Sequence, residues 1–165
     1  MKRRKIVGRI LLHFILIHLG MSAVILVMNK LGHPLFRYTK TFPLELQVMI
    51  LALIDLVSYI ITGFIYGKVF KEKKKLSLVV EWPILIFLFI FLGLYAIMYF
   101  LAQTLYNKEI MLFYILFNPW YGTYMWRLGE EQLYSLWWLI STVVPSLGYY
   151  IGIKYALKHD EGVVQ

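Results

Sequence analysis

The stretch that decides the fold is LQVMILALIDLVSYIITGFIY, which runs from Leu46 to Tyr66. It is 21 residues long and carries a single fully charged residue, Asp55, near its middle. A helix of this length extends about 30 Å, which is the thickness of the hydrocarbon core of a bilayer. Because the segment is apolar on every face, it is typical of a membrane-spanning helix rather than of a helix on a soluble protein.

The composition extends this conclusion to the whole chain of 165 residues. Hydrophobic residues make up 61% of the chain, and charged residues make up only 16%, against roughly 25% in soluble domains. The net charge of +8 comes from lysines and arginines that lie at the ends of apolar segments. That placement is typical of the inner face of a membrane, and nucleic acid is not an expected partner.

Four apolar segments predict an all-α, polytopic membrane protein that forms one membrane domain over residues 1–165. The first segment is 19 residues long and lacks a small-residue cleavage site, so we interpret it as an uncleaved span and not as a secretory signal. Glu81, Trp82 and Pro83 open the third segment with residues that suit an interfacial helix start. The spans are expected at about 10–28, 46–66, 84–102 and 133–153.

A fifth apolar segment, residues 110–126, is ambiguous. It has 17 residues, the short end of the spanning range, and Asn118, Pro119 and Gly122 interrupt it. Its dense aromatic residues favour an outer segment that is interfacial or re-entrant. A fifth span is the alternative.

A weak internal repeat supports two tandem hairpins. When the chain is shifted by 85 positions, Gly63 falls on Gly148 and Gly67 falls on Gly152. Two hairpins in the same orientation would pack about an axis along the membrane normal. Chance similarity between apolar segments is the alternative.

Basic residues predict the orientation. The positive-inside rule places the N-terminus in the cytoplasm, and four spans then place the C-terminus there too, in the inner (plasma) membrane. Nine of these residues form a basic patch at the inner face. The patch is expected either to contact anionic lipids of the inner leaflet or only to signal topology. Its residues are Lys2, Arg3, Arg4, Lys5, Lys68, Lys71, Lys73, Lys74 and Lys75.

Asp55 is the strongest candidate for a functional residue, because a carboxylate in the middle of a span is costly and is functional by default. His18 lies at the corresponding depth of the first span. The sequence predicts an intramembrane polar pair between them that exchanges a proton. The alternative is a structural role, in which Asp55 is protonated, or is hydrogen-bonded to Ser58, Tyr59 or a serine of the last span, and only holds helices together.

Glycine and proline mark the packing of the spans. Gly63 and Gly67 on the second span, and Gly148 and Gly152 on the last, are each four residues apart and allow helices to approach closely, within the chain or against a partner. Pro145 predicts a kink, and neighbouring serine and threonine hydroxyls are expected to satisfy the backbone groups that it frees.

Neither a metal site nor a cofactor is expected. His13 and His18 do not share a helix face, and the chain has no cysteine and no phosphate-binding or hydrolase motif. Charged residues do occur on either side of the outer segment, where an enzyme of lipid or cell-envelope chemistry would use them as acids and bases. They are Glu109, Arg127, Glu130 and Glu131.

Three functions follow as hypotheses. The first is a non-catalytic accessory or regulatory subunit that packs against a larger membrane protein through its glycine-lined and basic inner surfaces. The second is a small proton-coupled transporter that self-associates, with Asp55 and His18 in the path. The third is the membrane-embedded enzyme.

Overall fold

The computed structural model describes residues 2–29, 36–70, 73–118 and 136–161. These residues form seven α-helices and two short 3₁₀ turns, Lys108–Ile110 and Leu136–Trp138, and no strand is found in these four ranges. The helices are α1 (Lys2–Asn29), α2 (Phe36–Thr39), α3 (Leu44–Val69), α4 (Lys73–Val79), α5 (Glu81–Thr104), α6 (Met111–Phe117) and α7 (Leu139–Glu161).

Four segments, carried by α1, α3, α5 and α7, are long and apolar enough to cross a membrane. They are Arg4–Val24, Leu44–Val69, Glu81–Thr104 and Leu136–Lys158. Large apolar side chains such as Leu53 and Phe89 are 62% and 67% exposed, which suits a surface that faces lipid. The prediction of an all-α, multi-pass membrane protein is confirmed.

Some predicted features lie outside the described residues. They are residues 119–126 of the outer segment, the charged residues Arg127, Glu130 and Glu131, residue Lys71, and the side chains of Lys2, Arg3, Lys73, Lys74 and Lys75.

The most extensive helix contact joins α3 to α7, which run parallel. Gly63 lies against Tyr149, and one turn later Gly67 lies against Ala156. A Cβ atom at Gly63 would be 2.8 Å from the carbonyl oxygen of Tyr149, and a Cβ at Gly67 would be 2.7 Å from the Cβ of Ala156. Both positions therefore have room only for hydrogen.

The two glycines of α7 are equally enclosed. A Cβ at Gly148 would collide with the Cβ of Tyr59, and a Cβ at Gly152 would collide with the carbonyl oxygen of Ile60. All four predicted packing glycines thus lie inside one contact within the chain. No partner protein can use these faces while α3 and α7 are packed.

α5 runs antiparallel to α7 and parallel to α1. The Lys154 ammonium lies 3.1 Å from the Glu81 carboxylate, which joins the end of α7 to the start of α5. Phe14 and His18 of α1 contact Phe87 and Phe91 of α5 in the same order along both helices. If the chain crossed the membrane once more between α5 and α7, these two helices would be parallel. They are antiparallel, so the geometry does not fit five spans.

Consequently α5 ends, and α7 begins, at the same end of the bundle, which we call the α6 end. α5 ends in a tight turn, where Tyr106 has a φ of 48° and the N–H of Asn107 donates to the carbonyl of Ala102 at 3.0 Å. This is the Schellman arrangement, which usually has glycine at the position of Tyr106. The turn directs the chain back towards the bundle, where α6 packs on α5.

The bundle core consists of two hydrophobic clusters. The cluster far from α6 is rich in aromatic residues, with the rings of Phe14 and Tyr149 stacked at 4.5 Å between centroids. The cluster at the α6 end brings residues of α5 and α6 against α3 and α7; its buried members are Val48, Leu51, Tyr95, Ala102, Met111, Tyr114 and Trp138.

We predict that Gly152→Ala destabilises the bundle while Gly93→Ala does not. The added methyl group at position 152 meets the backbone of α3, and overpacking of this kind costs about 1–3 kcal/mol. At Gly93 no atom lies within 4 Å of the new Cβ, and alanine improves helix propensity by about 1 kcal/mol. Thermal unfolding in detergent measures both, and equal melting temperatures would contradict the α3–α7 contact.

Candidate functional site

Asp55 lies in the interior of the bundle, at the junction of the two core clusters. Its side chain is 0% exposed. It shares the buried face of α3 with Leu51 and Tyr59, one turn away on either side, and these belong to different clusters. In the part of the chain that the structure describes, neither carboxylate oxygen has a hydrogen-bond partner.

None of the described side chains expected to bond Asp55 does so. The Ser58 hydroxyl donates to the carbonyl of Ile54 at 2.8 Å, within the same helix. The Tyr59 hydroxyl meets the Nδ1 atom of His18. The Ser146 hydroxyl of α7 is buried and has no partner among the described residues. The expectation that Asp55 is hydrogen-bonded to one of these side chains is therefore not met.

His18 is buried in the first span and uses both ring nitrogens. Its Nε2–H donates to the carbonyl of Phe117 at 2.8 Å, because a carbonyl can only accept. In the neutral imidazole this leaves Nδ1 as the acceptor for the Tyr59 hydroxyl. Phe91 also packs edge-on against the ring at 4.6 Å between centroids. Both nitrogens are occupied, so His18 and Asp55 do not form the predicted pair.

The two residues nevertheless lie near one common neighbour, Tyr59. Tyr59, which contacts His18, follows Asp55 by one turn of α3, a rise of about 6 Å. The structure thus brings His18, Tyr59 and Asp55 to adjacent levels of one interior region. The sequence did not single out Tyr59 as a functional residue, because it is one of 13 tyrosines in the chain.

A second polar cluster joins α6 to α7 at the kink. Pro145 has no N–H, so the carbonyl four residues earlier, that of Ser141, loses its helical partner. The side-chain amide of Asn118 donates to this carbonyl at 3.0 Å. It also donates to the Tyr114 hydroxyl at 2.9 Å, and that hydroxyl lies 2.7 Å from the Ser141 hydroxyl.

This cluster corrects the expectation that hydroxyls near Pro145 satisfy the freed backbone. The Ser141 hydroxyl bonds the carbonyl of Trp138 at 2.5 Å, and the Thr142 hydroxyl bonds that of Leu139 at 2.7 Å. The side-chain amide of Asn118, which belongs to a different segment, donates to the freed carbonyl instead. In the sequence, the only indication of this polar cluster is the spacing of Tyr114 and Asn118, which places them one helical turn apart.

The basic patch is described only in part. Arg4 and Lys5 are exposed near the start of α1. The ammonium of Lys68 lies 5.6 Å from the centre of the Phe64 ring, on the same helix. Within the described ranges, no group of three or more histidine, aspartate or glutamate side chains is arranged to hold a metal ion.

Comparison with known proteins adds no assignment to this geometry. The chain matches no protein family, no curated protein and no solved structure.

We predict that Asn118→Ala destabilises the protein by about 1–3 kcal/mol, because it leaves the Ser141 carbonyl and the Tyr114 hydroxyl buried without a donor. In a Pro145→Ala background the helix regains its own N–H donor for Ser141, so the cost of Asn118→Ala should fall. A double-mutant cycle measured by unfolding in detergent tests this. Strict additivity of the two substitutions would contradict the role of Asn118.

Proposed function

We propose that the protein moves protons, or a solute coupled to protons, across the membrane, with Asp55 as the proton-binding group. The observation that carries this proposal is the Asp55 carboxyl group, which is completely buried at the middle of a span with both oxygens unpartnered in the described part of the chain. A charge at this depth requires neutralisation by a proton or a cation. A purely structural carboxyl group would instead be expected to spend its oxygens on hydrogen bonds.

The surroundings of Asp55 supply further groups that exchange protons. The Tyr59 hydroxyl and the His18 imidazole are in contact one turn away, and their shared hydrogen bond can reverse direction when the imidazole gains a proton. We propose that Asp55, Tyr59 and His18 form a relay at the midplane of the membrane. The direct Asp55–His18 pair is not needed for this relay.

We further propose that residues 110–118 begin a re-entrant segment that closes the site at the α6 end. The carbonyl of Phe117 bonds His18, which lies 11 residues before Asn29, the last residue of α1 and the end of that helix nearer to α6. A segment that only followed the membrane surface would not reach this depth. We also propose that the chain forms two tandem hairpins that derive from an internal repeat. The parallel course of α3 and α7 supports this arrangement.

The orientation follows from charge. Arg4, Lys5 and Lys68 lie at the end of the bundle far from α6, where α1 begins and α3 ends. By the positive-inside rule, we place this end and both termini in the cytoplasm, with the basic patch against anionic lipids of the inner leaflet of the plasma membrane.

We propose a role as an accessory subunit as the second candidate function. Self-association of the chain is compatible with the transport function. The four glycines are enclosed between α3 and α7, so a larger partner would have to bind a different surface. The enzyme hypothesis rests on Glu109, Arg127, Glu130 and Glu131, of which only Glu109 lies in the described residues, where it is exposed.

We predict that Asp55→Asn abolishes proton movement. Purified protein in vesicles that contain a pH-sensitive dye should acidify the interior when a potassium gradient and valinomycin set a negative potential inside. The amide cannot bind and release a proton, so the rate should fall by more than roughly tenfold. The melting temperature should not fall, because no hydrogen bond is lost.

Glu45→Gln is the matched control, since it removes an exposed carboxylate from the first turn of the same helix. It should retain the wild-type rate. Wild-type vesicles that acidify no faster than empty vesicles, or an Asp55→Asn variant at the wild-type rate, would rule out the proposal. Isolation from native membrane in mild detergent complements this test, because a stoichiometric larger protein would favour the accessory role.

Single-cysteine labelling tests the orientation, because the chain contains no cysteine of its own. We predict that an impermeant maleimide labels Tyr106→Cys in intact cells, since Tyr106 is 96% exposed at the α6 end. Lys5→Cys and Lys158→Cys should react only after the membrane is permeabilised. Labelling of Lys158→Cys from outside would overturn the arrangement with both termini in the cytoplasm.

A further inference from the structure

A groove of about 360 Å³ runs along the outside of the bundle between α5 and α7. Its apolar wall consists of Ile84, Leu85 and Leu88 on α5, and of Val143 and Leu147 on α7. The two helices cross the membrane antiparallel, so the groove between them has the direction of a lipid acyl chain. An apolar groove alone does not select an occupant, whereas its polar groups do.

The mouth of the groove carries one charge of each sign. Glu81 lines the groove, and its carboxylate lies 3.1 Å from the Lys154 ammonium. Side chains on a helix point towards its N-terminus, and the Lys154 ammonium accordingly lies 5.5 Å from the centre of the Tyr150 ring, which is also in the lining. Lys154 and Glu81 are 39% and 61% exposed, so both charges are accessible to a ligand.

A hydroxyl group lies deeper in the same wall. Ser146 precedes Tyr150 by one turn, about 6 Å along the helix, and is only 3% exposed. Its Oγ has no hydrogen-bond partner among the described residues. The Oγ atom is itself closed to the outside, so Ser146 forms part of the groove wall without offering a donor to a ligand.

We propose that this groove binds one phospholipid of the phosphatidylethanolamine class. An acyl chain lies along the apolar wall, the lipid phosphate accepts from Lys154, and the lipid ammonium donates to Glu81. This inference is independent of proton movement at Asp55.

Charge complementarity selects this headgroup over others. The mouth has no net charge, with a cation and an anion side by side, and so does a zwitterionic headgroup. An anionic phospholipid would bring a phosphate for Lys154 but no cation for the Glu81 carboxylate. A choline headgroup has no N–H to donate to the Glu81 carboxylate.

Native mass spectrometry of the delipidated full-length protein tests the proposal. The protein in detergent is offered equal amounts of phosphatidylethanolamine, phosphatidylcholine and phosphatidylglycerol. We expect one bound phosphatidylethanolamine, preferred roughly tenfold over each competitor, the factor typical of one charge-assisted hydrogen bond. Equal retention of all three lipids, or retention of none, would overturn the assignment.

Two variants locate the lipid. Glu81→Gln removes the carboxylate and keeps the Lys154 ammonium at the mouth, so the preference should change to the anionic phosphatidylglycerol. Leu88→Trp fills the groove and should abolish retention, whereas Leu53→Trp, on the lipid-facing side of α3, should not. A Glu81→Gln protein that still prefers phosphatidylethanolamine, or a folded Leu88→Trp protein that still retains it, would contradict the site.

Discussion

Hydrocarbon offers no hydrogen-bond partner to a polar group, and this constraint decides how the bundle is built. Pro145 breaks the rule locally by leaving the carbonyl of Ser141 without its helical donor. The side chain of Asn118 supplies the missing donor. In doing so it fixes the end of α6 against α7, and the neighbouring Phe117 carbonyl then meets His18 of α1. One backbone defect thereby anchors a segment that connects three helices.

Close packing explains why the polar groups gather at one level. Gly63, Gly67, Gly148 and Gly152 let α3 and α7 touch through their backbones in the half of the bundle far from α6, which leaves no space there for a side chain. Towards the α6 end the facing residues are larger, with Trp138 and Tyr114 fully buried. Asp55 lies between the backbone contact at the four glycines and the region that large side chains fill.

The sequence predicts the spans because their signal is local, but it does not predict contacts between segments far apart. Twenty apolar residues and a lysine-rich connection define a helix and its ends without reference to the rest of the chain. Depth matching predicted similar levels for His18 and Asp55, but it could not predict that the Tyr59 hydroxyl contacts the imidazole. Asn118 was interpreted as a helix breaker, since its partner lies 23 residues further on and is a backbone atom.

Asp55 stands apart from these satisfied groups. Ser141, Tyr114 and His18 have hydrogen-bond partners, whereas the hydroxyls of Ser22 and Ser146 and the side-chain oxygen of Asn118 lack one among the described residues. The carboxyl group, which is more costly to bury than any of them, has none among the described residues. A replacement by an apolar residue of similar size would remove this cost without losing a bond. Stability therefore gives no reason for an aspartate at position 55, which supports the proposed role in binding a proton.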